Sequence, residues 1–159
     1  MARQYWLLKA DPEVFSFDDL LASPGRTTAW DGVRNYQARN YLRAMAPGDQ
    51  AFFYHSNASP PGIVGLVEIA RGAYPDPTQF ERGHGHFDPR SKAEAPTWVM
   101  VDVRALEALP RTLALAELCG LEECSSLAVC QRGNRLSVSP VSGAQWRVIR
   151  ACAKRKSPA

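Results

Sequence analysis

The residues best equipped for chemistry lie in one stretch, Trp30-Asp31-Gly32-Val33-Arg34-Asn35-Tyr36-Gln37-Ala38-Arg39-Asn40-Tyr41-Leu42-Arg43. Asp31-Gly32 has the composition of a turn, and Asn35 is suited to cap a helix that follows it. Ala38, Tyr41, Leu42 and Met45 then recur at helical spacing and make one apolar stripe. This sets Arg34, Asn35, Tyr36 and Gln37 at a helix N-terminus, where free backbone N–H groups and the helix dipole favour a phosphate or another anion. Arg39 and Arg43 stand one turn apart and share a face. On these residues alone two readings are open, an anion-binding helix start and a solvated, arginine-bearing helix packed on a sheet.

The segments around this stretch must position it. Tyr5-Trp6-Leu7-Leu8-Lys9-Ala10 reads as a strand ended by Asp11-Pro12. Ser16 followed by Asp19 predicts a capping box, with Phe17, Leu20 and Leu21 facing inward. Pro47-Gly48-Asp49 turns the chain into a strand over 50–56. A second strand covers 63–70, and Gly65 in its middle predicts a bulge or bend. Residues 75–96 form a long loop rich in Pro, Asp, His and Lys, with one helical turn at 77–81. Trp98, Met100, Asp102 and Arg104 alternate with Val99, Val101 and Val103, the pattern of a strand. Leu109-Pro110-Arg111 predicts entry into a Thr112-capped helix ending at Gly120, with a further short helix over 122–129. A strand over 135–140 follows, and Ser142 with Gln145 predicts a capping box opening a helix to Ala153. Strands and helices interleave without βαβ regularity. That predicts a single α+β domain over 1–153, with a bent, largely antiparallel sheet, and a basic tail over 154–159.

At 159 residues the chain has the size of one ordinary domain. Its composition, 45% hydrophobic and 22% charged, excludes wholesale disorder. A net charge of +3 permits contact with nucleic acid without the strongly basic footprint that announces it. No run approaches the roughly 18 apolar residues of a membrane span, and a strand starting almost at Met1 is expected to leave no room for a signal peptide. Cys119, Cys124, Cys130 and Cys152 contain no C-x-x-C pair. They are expected to be reduced thiols of an intracellular protein, cytoplasmic or, in a eukaryote, nuclear. His84-Gly85-His86 has no third ligand nearby, so neither a metal site nor a cofactor is expected.

The stretch Trp30-Asp31-Gly32-Val33-Arg34-Asn35-Tyr36-Gln37-Ala38-Arg39-Asn40, with Phe53-Tyr54-His55-Ser56 and Gly62-Ile63-Val64-Gly65 after it, closely resembles the EVE domain family. The resemblance continues through Tyr5-Trp6-Leu7-Leu8-Lys9, Asp76-Pro77-Thr78-Gln79-Phe80, Trp98-Val99-Met100-Val101-Asp102-Val103 and Leu136-Ser137-Val138-Ser139-Pro140-Val141 before Trp146. It therefore covers nearly the whole chain. The loop Arg82-Gly83-His84-Gly85-His86-Phe87-Asp88 departs from the family pattern, and no ligand role is carried onto it. The resemblance implies a PUA-like fold, a small curved, mostly antiparallel β-barrel flanked by helices. It also implies a non-catalytic, monomeric reader of a modified base, with DNA carrying 5-substituted cytosine as the first candidate. The alternative partner is modified RNA, tRNA or rRNA, including an accessory role in RNA modification. A hydrolase or deaminase is the remaining class, but no H-x-E with P-C-x-x-C signature and no nucleophile elbow appears.

A reader of flipped bases needs flat walls for the base and a few polar groups at its edge. Each base–aromatic stack is worth about 1–3 kcal/mol and tolerates any base, so selectivity rests on the polar groups. Under the resemblance, Trp6, Trp30 and Tyr54 are the expected walls, with Asn35, Gln37 and Ser56 at the base edge. Lys9, Arg34, Arg39 and His55 are expected near the phosphates. His55 follows Tyr54 in a strand and is expected on the opposite face from it. Trp98 and Trp146 are assigned to the core.

Overall fold

A computed structural model describes residues 2–155. Lys156, in the expected basic tail, lies outside the described residues, as do the residues after it. The chain runs β1 (Tyr5–Ala10), α1 (Phe17–Ala22), β2 (Thr27–Trp30), α2 (Tyr36–Ala44), β3 (Gln50–His55), β4 (Gly62–Pro75), β5 (Val99–Ala114), α3 (Leu115–Cys119), β6 (Val138–Val141) and α4 (Gly143–Ala153). Three of the four capping predictions hold atom by atom, the exception being Thr112. Ser16 and Asp19 close a reciprocal box on α1, Ser142 and Gln145 do the same on α4, and the Asn35 side chain accepts from the Ala38 N–H on α2.

The six strands form one sheet in the order β2-β5-β4-β3-β1-β6. Neighbours are antiparallel except β1 and β3, which run parallel. Register shifts along β4 and β5, one of them between Ile63 and Gly65, mark bulges that bend the sheet. A Cβ on Gly65 would lie 2.4 Å from the Phe17 ring, so this glycine lets α1 settle on the sheet. The expected α+β, mostly antiparallel architecture is present, but the sheet does not close: β2 and β6 remain separate edges.

Both faces of the sheet are covered, which is why β1 and β3 read as continuous apolar runs. One core, under α1 and α2, contains Leu8, Phe17, Leu20, Leu42, Phe53 and Val101. The other, against α3 and α4, contains Leu7, Phe52, Ile63, Leu113, Trp146 and Ile149. Trp98 and Trp146 are buried, as assigned.

Three expectations are corrected: the helix from Thr112, the short helix over 122–129, and the reduced state of Cys119 and Cys130. No helix starts at Thr112: β5 continues through Ala114, and α3 is only the five residues Leu115–Cys119. The reason is tertiary, since Leu113 pairs with Ile63 on β4 and is fully buried. The segment after α3 is likewise two 3-10 turns, Glu122–Cys124 and Ala128–Cys130. These turns fold the chain back so that Cys119 and Cys130, with Cα atoms 5.5 Å apart, form a disulfide. Cys124 and Cys152 are the free, buried thiols among the described residues.

Candidate functional site

A cavity of about 480 Å³ opens in the seam between the two sheet edges. One wall is β2, through Thr28, Ala29 and Trp30, continued by Asp31, Gly32, Val33 and Arg34. The opposite wall holds Lys9 and Ala10 at the end of β1, with Ser137 just before β6. Asp11, Val14 and Phe15 of the β1–α1 connection and His86 of the long loop complete the lining. Trp30 is 8% exposed, its ring edge-on to Phe53 at 5.4 Å, so the core holds one side of the indole while the other borders the cavity.

The turn that carries this wall is fixed by a buried carboxylate. Asp76 is fully buried, and its Oδ2 accepts from the Gly32 N–H at 2.8 Å and from Arg34 Nη1 at 3.1 Å. Its Oδ1 accepts from the Thr78 N–H at 2.8 Å and from the Thr78 hydroxyl. Burial pushes the Asp76 carboxyl up, but the bonds from Thr78, Gly32 and Arg34 outweigh it and hold it below the usual carboxylate range. Arg34 also donates from Nε to the His86 carbonyl at 2.9 Å, from Nη1 to the Val33 carbonyl at 2.9 Å and from Nη2 to Thr78 Oγ1 at 3.2 Å. Its guanidinium is occupied by the protein itself, and it positions the loop.

Other lining groups remain free. Among the described residues, the side chains of Lys9, Thr28, Asp31 and Ser137 make no hydrogen bond or ion pair. Burial pushes the Lys9 ammonium below its ordinary range. Asp11 is already engaged, accepting from the Glu13 N–H and from Asn57 Nδ2. The cavity thus offers one ammonium, one carboxylate and two hydroxyls to a ligand, beside an indole and the Phe15 ring.

The structure gathers Lys9, Trp30 and Arg34 from the expected site residues and leaves the others off the cavity wall. Trp6 shares the first core with Trp30, but its indole N–H is donated to buried Asp49 at 3.2 Å. Tyr54 belongs to the second core, on the other face of the sheet, so Trp6, Trp30 and Tyr54 do not form one cage. His55 stands on the face opposite Tyr54. Its Nε2 accepts the Phe17 N–H at 3.1 Å at the start of α1, and its ring meets Phe53 edge-on. Ser56, at the end of β3, gives its backbone N–H to the Ala10 carbonyl. Asn35 and Gln37 are exposed at the start of α2, where Gln37 bonds the Tyr41 hydroxyl at 3.1 Å. Arg39 is held by the Thr97 carbonyl and by Asn40.

Sequence reasoning missed Phe15, Thr28, Asp31, His86 and Ser137. Asp31 and Ser137 lay inside quoted motifs and could have been singled out there. His86 sat in the loop that departs from the family pattern and was weighed only as a metal ligand.

Fold and cavity together define a class of protein, an open, bent α+β sheet with a partly polar pocket at its seam. The sequence matches the EVE domain family over residues 4–152, and the chain belongs to that family. Human thymocyte nuclear protein 1 (THYN1) is 54% identical over 123 residues, which cover 72% of this chain and 55% of that protein. The chain therefore spans about half the length of this relative. The crystal structure of human THYN1 in complex with DNA containing 5-methylcytosine is similar with a TM-score of 0.88 and 42% identity, covering 97% of this chain and 99% of the other. A hypothetical protein from Leishmania major gives a TM-score of 0.89 at 42% identity, covering 96% of each chain. No helix among the described residues is long and apolar enough to cross a membrane.

Proposed function

We propose that this chain is a non-catalytic, monomeric DNA-binding domain that takes a flipped cytosine bearing a 5-substituent into the seam cavity. One observation carries the reading: free polar groups stand beside Trp30 in a cavity large enough to admit a nucleobase. Its support is likeness, over almost the whole chain, to a protein solved with 5-methylcytosine DNA. Cytosine presents an amino group at C4 and acceptors at N3 and O2. In this reading Asp31 accepts from the amino group, as carboxylates do with cytosine N4. Lys9, Thr28 and Ser137 supply the donors that N3 and O2 require. Thymine, which also carries a 5-methyl group, would set its O4 acceptor against the Asp31 carboxylate and be rejected. Trp30 and Phe15 give flat surfaces for the ring, and Ala10, Ala29 and Val33 give an apolar border for the 5-substituent. Arg39, Asn35 and Gln37 belong to the rim facing the DNA backbone. Residues 1–153 act as one unit, and the tail over 154–159 adds positive charge for the same polyanion.

Binding to matched DNA duplexes containing cytosine, 5-methylcytosine or 5-hydroxymethylcytosine, and to RNA of the same sequence, tests this reading. A preference for a 5-substituted cytosine in DNA is expected. It should be abolished by Trp30→Ala and reduced about tenfold or more by Asp31→Asn, the worth of one hydrogen bond to a charged group. Asp31 is exposed, so that variant keeps the fold. Binding blind to the modification, or equal in RNA and DNA, would overturn the reading.

A further inference from the structure

Tyr36 is an anomaly on the surface: a large aromatic side chain, 61% exposed, on the first turn of α2. It is not a stray apolar group, because its ring is built into a supported stack. Tyr36 packs on Trp98 with centroids 5.0 Å apart and planes 33° apart. Trp98 itself is 5% exposed and pinned by its indole N–H, which donates to Asp88 at 2.7 Å. The Arg39 guanidinium lies 4.9 Å from the Tyr36 ring and 5.9 Å from that of Trp98. The guanidinium of Arg34, which lines the seam cavity, also stands 5.5 Å from the Trp98 ring. The exposed tyrosine is therefore one aromatic ring removed from the cavity wall, on a helix that carries Arg39 and Arg43 and no acidic residue.

We infer that Tyr36, backed by Trp98 and flanked by Arg39, stacks on the base neighbouring the flipped nucleotide and holds open the gap in the DNA stack. The inference rests on the base-pocket reading proposed above. A duplex that loses one base from its stack leaves the next base with an uncovered face. Covering that face with a side chain offsets part of the unstacking cost, as apolar wedges do in other DNA-binding proteins. A tyrosine held rigidly by a buried tryptophan loses little freedom on doing so. The charge of the helix favours DNA as the occupant, because the phosphates on either side of a stacked base lie within reach of arginines that also stack on bases.

The test is binding of the full chain and of Tyr36→Ala and Tyr36→Phe to a 5-methylcytosine duplex at two salt concentrations, with 2-aminopurine beside the modified base. Tyr36→Ala should bind about tenfold more weakly by the same factor at both salts, since a stack and not a charge is lost. Its complex should also fluoresce more brightly than that of the parent, because the aminopurine is no longer quenched by the ring. Tyr36→Phe should match the parent, as the hydroxyl makes no bond among the described residues. Unchanged affinity and fluorescence in Tyr36→Ala, with the preference for the modified base intact, would overturn this inference and leave the pocket reading standing. Absence of that preference in the parent protein would sink both.

Discussion

Gly32 shows how much of the site hangs on a single position. Its backbone has φ of +79°, and an added Cβ would lie 2.5 Å from the His86 ring. The residue also gives its N–H to Asp76, so the turn, the buried carboxylate and the long loop meet there. Gly32→Ala should lower stability by about 1–3 kcal/mol, the range for a non-glycine residue in left-handed backbone. It should weaken DNA binding as well, because Asp31 and Val33 on either side line the cavity. Chemical denaturation and a duplex titration on the same variant check the two effects together. The sequence marked a turn at this point from residue type alone. It gave no indication that a histidine 54 positions later closes over the glycine, because that contact depends on how the loop over 75–96 crosses the molecule.

At the level of elements, α1 illustrates how a short helix is secured. Its capping box satisfies two backbone N–H groups, and His55 on β3 accepts a third, from Phe17. Accepting at Nε2 requires the neutral ring. Burial pushes His55 below the ordinary histidine value, with nearby Asp18 pulling part of the way back. The unfolded chain therefore takes up this proton first as pH falls. The stability from His55 is complete above its unfolded pKa of about 6.5 and is lost as pH drops through the lower folded value. The thermal midpoint should thus fall between pH 7 and pH 5, and His55→Gln, whose amide oxygen still accepts, should flatten that dependence. Caps such as Ser16, Asn35 and Ser142 were legible because their partners lie three residues away. The end of β5 was not, since Thr112 has the composition of a helix start and only pairing with the distant β4 keeps it extended. The Cys119–Cys130 bond was missed for a related reason, as two 3-10 turns supply a proximity that spacing does not display.

For the molecule as a whole, the decisive feature is a sheet covered on both sides that leaves its first and last edges apart. The interleaving of strands and helices announced a bent, mostly antiparallel sheet, and Gly65 announced the bulge, whereas burial of both faces came only with the structure. The location of the cavity was not legible, because a gap between β2 and the β1–β6 pair is a property of all six strands at once. That is also why Tyr54 was assigned to the wrong surroundings: next to a pocket motif in sequence, it points into the opposite core. A change confined to that second core should be felt as stability only. Ile149→Val should cost about 1 kcal/mol in denaturation while leaving the preference for the modified base as it is in the parent.

The seam has one further consequence. A pocket hollowed from the centre of a core would inherit its shape from the packing around it, and altering the ligand would mean re-engineering the interior. Here the recess is a margin. Ala29, Asp31 and Ser137 belong to edge segments, with the interior complete behind them. Under the proposed reading, one recognised modification would be exchanged for another by editing this border alone, as a lock is re-keyed without replacing the door.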